Sequence, residues 1–167
     1  DGGMDAIETG SANMIRHLGI IREFGLNAVV AVNQFPGDSD EETDLVKKIA
    51  LEHGAYAAEL NEGFLRGGEG GAALAEAVVA AADEPSKFDF IYPLDAPIEQ
   101  KIEAIAKRVY GADGISLMPA ARAKIKAFDK AGLNNLPICM AKTHLSLSAD
   151  PLLANAPTGF TIGVRDL

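Results

Sequence analysis

Residues 28–38, Ala-Val-Val-Ala-Val-Asn-Gln-Phe-Pro-Gly-Asp, constrain this chain more than any other stretch. Five small or β-branched apolar residues in a row predict a strand buried on both faces, as in a parallel sheet. The run then breaks into an amide, an aromatic, a proline, a glycine and a carboxylate. In open α/β sheets ligands sit beyond the carboxyl ends of the strands, where this break falls. Phe35 therefore reads as a platform on which a ligand stacks rather than as a packing residue.

Helical and extended patterns alternate around that strand. Met14, Leu18 and Ile21 share a helical face that Gly25 stops. Ser39-Asp40-Glu41-Glu42 has the form of a capping box, and its helix runs to about His53 before Gly54. A short strand follows at 55–58. The glycine cluster Gly67-Gly68-Glu69-Gly70-Gly71 precedes an Ala-rich helix from Ala72 to just before Pro85. Phe88–Tyr92 reads as a strand. A helix begins near Asp95-Ala96-Pro97, shows the apolar stripe Ile98, Ile102, Ile105, Val109, and ends at Gly111. A strand near Ile115, a helix from Pro119 to Ala131, and strands at Leu136–Met140 and Phe160–Val164 complete the pattern. The reading is α/β, a mostly parallel sheet flanked by helices. No repeat or low-complexity linker marks an interior boundary, so residues 1–167 read as a single α/β unit.

With 167 residues, 48% of them hydrophobic, the chain can bury a core. A net charge of −9 argues against nucleic-acid binding. Cys139 is the single cysteine, which excludes an internal disulfide and fits a reducing cytosol. No apolar run approaches the roughly 20 residues that span a bilayer. Asp1-Gly2-Gly3 lacks the basic start and apolar segment of a leader, and an opening without Met suggests part of a longer polypeptide.

Three further features bear on chemistry. The glycine cluster opens a helix, whose free amides can hold a phosphate or carboxylate; a plain turn is the equal alternative. It is no Walker A loop, since neither Lys-Ser nor Lys-Thr closes it. Lys142 and Thr143 follow the 136–140 strand, where they could meet an anion or serve only as surface. His17, His53 and His144 show no metal spacing, and Cys139 reads as a core thiol. No catalytic constellation stands out. The residues alone reach an α/β ligand-binding unit.

Taken together, several segments resemble formate–tetrahydrofolate ligase, also called 10-formyltetrahydrofolate synthetase. They are Gly10-Ser11-Ala12-Asn13-Met14 with His17 and Phe24-Gly25; the 29–38 stretch; the glycine cluster with Leu74-Ala75; and Pro97-Ile98-Glu99-Gln100-Lys101-Ile102 through Tyr110-Gly111-Ala112-Asp113-Gly114. Leu136–Thr143, Ser146, Ser148 and Ala156-Pro157-Thr158-Gly159-Phe160 to Arg165-Asp166 complete the set. It covers almost the whole chain in the family's order.

The resemblance implies an ATP-dependent ligase, built on a P-loop NTPase-like frame, that joins formate to N10 of tetrahydrofolate through formyl phosphate. ATP with Mg is its co-substrate, and the phosphate loop with its catalytic lysine belongs to an N-terminal portion beyond this chain. The isolated chain is then expected to be inactive, and no catalytic residue is assigned within it. What it brings is the folate side. Phe35 stacks on the pterin, with Asn33 and Pro36 in the same corner, and Phe64 stands where the family usually carries tryptophan. Phenylalanine keeps a stacking face with less area and no N–H donor. Asp38 fits the family pattern and equally a helix N-cap. Gly67, Gly68, Gly70, Lys142 and Thr143 are candidates for the anion or nucleotide side, with organising the sheet edge near the nucleotide as the alternative role for Lys142 and Thr143. A cytoplasmic homo-oligomer, or association with the N-terminal portion, is expected; the alternative is a stand-alone or complementing folate-binding module.

Overall fold

The computed structural model describes residues 3–141 and 147–167. The chain forms two compact units, Asp1–Asp89 and Phe90–Leu167. No linker-like composition announces the divide, because it falls inside the apolar run Phe88–Tyr92.

Unit 1 is built on a βαβ crossover. Helix α1 (Met4–Glu23) leads to strand β1 (Val29–Asn33), helix α2 (Asp40–Glu52) and strand β2 (Ala57–Asn61). A one-turn helix α3 (Gly63–Arg66), a 3-10 turn at Gly67–Gly71 and helix α4 (Ala72–Asp83) follow. β1 and β2 pair in parallel, Val29 opposite Ala57 through to Asn33 opposite Asn61. Leu18, Ala28, Ala50, Ala55 and Ala58 form the core, with Met14 and Val30 packed on it. Four of these five are alanines, so α1 and α2 approach the strands closely.

The expected capping box is present. The Ser39 hydroxyl accepts from the Glu42 amide at 3.2 Å while the Glu42 carboxylate accepts from the Ser39 amide at 3.2 Å. Strand β2 starts two residues later than the sequence suggests. Its ladder is set by β1, and the Tyr56 amide donates to the Ala28 carbonyl at 2.7 Å just before that ladder begins.

β1 is not buried on both faces: Val32 is buried, Val29 and Val30 half-buried, Ala31 and Asn33 exposed. Its sheet has two strands among the described residues, so β1 is flanked on one side only.

Unit 2 holds helix α5 (Ile98–Arg108), strand β3 (Gly114–Leu117), helix α6 (Pro119–Lys130) and strand β4 (Thr161–Val164). β3 and β4 pair in parallel. Ile98, Ile102 and Ile105 of α5 are buried, as their spacing predicts, and Pro97 is the N-cap residue rather than part of the first turn. Ala106, Ala112 and Phe160 form the core, with Tyr110, Ile115, Leu153 and Ile162 against them. The α/β reading holds, with two small parallel sheets among the described residues rather than one.

Two expected strands do not form. At 88–92 the run is divided between the units. The Lys87 and Asp89 amides donate to the Gly25 and Phe24 carbonyls at 3.1 and 3.3 Å, and the Phe88 ring stacks on Phe24 with centroids 6.3 Å apart. In unit 2, Tyr92 is buried, and its hydroxyl accepts from the Ile138 amide at 2.9 Å.

Among the described residues the 136–140 segment has no strand partner, and side chains hold its backbone at Leu136 and Ile138. Lys101, fully buried, donates from Nζ to the carbonyls of Leu94 (3.0 Å), Leu136 (2.9 Å) and Asn134. Cys139 is consequently exposed, not a core thiol.

A buried ammonium stays in place only when its donors are matched, and here three carbonyls match them. Lys101→Met would keep the stem's volume and leave those acceptors unpaired. Unfolding in denaturant should show a loss of about 3 kcal/mol. Faster alkylation of Cys139 should accompany it, as the 134–140 segment loses its anchor.

Candidate functional site

The carboxyl ends of β1 and β2 lie side by side, and the sequence-predicted corner is built on them. Beyond Asn33 the Gln34 amide still donates to the Asn61 carbonyl at 3.2 Å. The chain then turns over Phe35-Pro36-Gly37-Asp38, closed by the Asp38 amide donating to the Phe35 carbonyl at 3.1 Å. Proline suits the second position of such a turn, and the third demands a positive φ, which Gly37 supplies at 107°. The Asp38 carboxylate accepts from the Phe35 amide at 2.8 Å. Asp38 is therefore the clasp of the turn and not a helix N-cap, a position held by Ser39.

This clasp holds Phe35 out of the core at 51% exposure. Phe64, in α3, is 76% exposed. The two rings nevertheless meet, with centroids 5.8 Å apart and planes at 52°. Two large apolar side chains left in water, yet in contact with each other, make an aromatic face at a strand edge.

Asn33 and Asn61, opposite each other in the ladder, stand at the base of this corner. Asn61 Nδ2 donates to Asn33 Oδ1 at 2.8 Å, and Asn61 Oδ1 accepts from the Gly63 amide at 3.1 Å. Sequence reading found Asn33 and missed Asn61. The missed signal was a second asparagine three residues before Phe64, but its meaning depends on the strand register.

The glycine cluster is a packed 3-10 turn rather than a loose loop. The Glu62 amide donates to the Gly70 carbonyl at 3.0 Å, and Gly70 is buried. Gly71 caps α4 without any side-chain bond. Arg66 is held by the Glu62 carboxylate at 2.8 Å. Gly67 and Gly68 are exposed, and the cluster lies in the same unit as the phenylalanine pair.

Lys142, Thr143 and His144 lie outside the described residues. His17 and His53 are exposed. Among the described residues no three His, Cys, Asp or Glu side chains gather as a metal ion would need, and no helix is long and apolar enough to cross a membrane. In unit 2, burial and then the nearby Cys139 raise the Tyr110 phenol above its ordinary range.

The corner offers stacking faces and amide groups, while the carboxylates of Asp38 and Glu62 are engaged in bonds of their own. That arrangement holds and orients a flat molecule. Its geometry depends on Gly70, where a Cβ would fall 2.6 Å from the Glu62 carbonyl carbon and oxygen. Backbone cannot yield cheaply there. Gly70→Ala should lower stability by about 2 kcal/mol in thermal or denaturant unfolding.

A family model described as formate–tetrahydrofolate ligase matches residues 2–167. The chain is 47% identical over 163 residues to the formate–tetrahydrofolate ligase of Saccharopolyspora erythraea and 45% over 164 residues to that of Desulforamulus reducens. It is 45% identical over 164 residues to the human protein named "C-1-tetrahydrofolate synthase, cytoplasmic". Each match covers 98% of this chain, but 29% of either bacterial protein and 18% of the human one.

Proposed function

The chain belongs to the formate–tetrahydrofolate ligase family, and we propose that it supplies the folate side of the ATP-dependent ligation of formate to tetrahydrofolate. The observation that carries this reading is the contact between Phe35 and Phe64 at the carboxyl edge of β1 and β2. A pterin is flat, apolar on its faces and polar at its rim. The corner has two aromatic faces above a pair of amides.

A ring held between two others needs about 7 Å from face to face, twice the roughly 3.5 Å of optimal carbon contact. The 5.8 Å tilted pair therefore parts to admit a pterin. Phe64, the more exposed ring and part of a one-turn helix, is the one assigned to move.

In the reaction so assigned, the terminal phosphoryl group of ATP passes to formate, giving formyl phosphate and ADP. The N10 amine then attacks the formyl carbon, and phosphate leaves. ATP with Mg binds mainly in the larger remainder of the ligase, on its P-loop NTPase-like frame. Gly67, Gly68 and Gly70 in unit 1, and separately Lys142 and Thr143, are the residues assigned to the anion or nucleotide side. Phe35, Pro36, Asn33 and Phe64 seat the acceptor. The partners are these small molecules and, in the cytoplasm, the remaining polypeptide or further copies of the same chain.

A second reading is a stand-alone or complementing folate-binding module. It is favoured by the corner's bonds, all of which are made within unit 1.

Calorimetric titration of the chain with folate tests the shared element of both readings. Phe35→Ala should weaken binding by about 1–3 kcal/mol, the scale for a heterocycle stacked on an aromatic side chain. Equal affinities in the two proteins would remove Phe35 from the site.

A further inference from the structure

The amides of Asn33 and Asn61 are ordered by a backbone group, and that order has a chemical direction. A backbone N–H can only donate, so the Gly63 amide fixes Oδ1 of Asn61 as the end facing it, at 3.1 Å. The other end of that side chain, Nδ2, is then turned to Asn33, where it donates to Oδ1 at 2.8 Å. Asn33 has committed its acceptor end. Its Nδ2, carrying two N–H groups, has no partner among the described residues, on an exposed residue two positions before Phe35.

We infer that Asn61 is a positioning residue that makes Asn33 present a donor, so that the corner selects a ring whose edge carries a carbonyl oxygen. Resting on the folate reading, the inference assigns to Asn33 and Asn61 the discrimination of a 4-oxo pteridine from a 4-amino one. A 4-oxo group accepts from Asn33 Nδ2, whereas a 4-amino group sets donor against donor and leaves both unpaired. The close approach of Gly63 supports the device. A Cβ there would fall 2.9 Å from Asn61 Oδ1, so any side chain at this position would push the Asn61 amide out of its present place.

Reversal of the chain of bonds supplies the test. In Asn61→Asp the carboxylate still accepts from the Gly63 amide but has nothing to donate. Asn33 must turn its NH2 inward and its oxygen outward. Asn33→Asp reaches the same end by another route, since a carboxylate accepting from Asn61 also offers an oxygen to the ligand. Both variants and the wild-type chain are titrated with folic acid and with its 4-amino counterpart, after circular dichroism has confirmed the fold of each.

The wild type should prefer folic acid by about tenfold, the scale of one neutral hydrogen bond, and at least one variant should equalise or reverse that ratio. A purely structural role for Asn61 would weaken both ligands alike. Wild-type ratios retained in both folded variants would overturn the inference and leave the stacking reading intact. Failure of the wild-type chain to bind either ligand would overturn the folate reading and the inference with it.

Discussion

The parallel register between β1 and β2 is the constraint on which the candidate site depends. It sets Asn33 beside Asn61, and with them the two carboxyl ends from which Phe35 and Phe64 depart. A slip of one residue would send every side chain on one strand to the opposite face. The register is held by what lies on either side of the ladder. The Tyr56 amide enters it at Ala28, the Gln34 amide leaves it at Asn61, and small alanines beneath allow α1 and α2 close approach. The asparagine pair then spends its hydrogen bonds on the corner itself.

Unit 2 satisfies its backbone by different means. The 134–138 segment is anchored by one lysine ammonium and one tyrosine hydroxyl instead of a neighbouring strand. Such anchoring holds a turn and the residues after it without ladder geometry, and Cys139 in that apolar run is exposed. The same substitution of local bonds for a ladder occurs at 87–89, held by the turn after α1.

These two places mark the limit of what sequence pattern discloses. Helices were legible wherever a stripe and a stop coincided: Ile98, Ile102 and Ile105 before Gly111, or the Ser39 capping box with Gly54 beyond it. The apolar run at 28–32 correctly named a strand and wrongly buried both its faces, because such a run does not reveal what packs against each face. Apolar runs at 88–92 and 136–140 read as strands because hydrophobicity is shared by ladders and by segments pinned to side chains. The buried partner in the second case is a lysine, the residue type least expected there. In the site, Phe35 was legible from its break after a strand. Its contact with Phe64 and the part played by Asn61 were not, since residues some 28 positions apart meet only through the register.

The central claim is that the Phe35–Phe64 pair is an aromatic clamp for a pterin. A crystal structure of the chain with bound folate tests it most directly. The account expects the ring centroids to part from 5.8 Å to at least about 7 Å, with the pterin between them. Folate bound elsewhere, with the two rings still in contact, would contradict it.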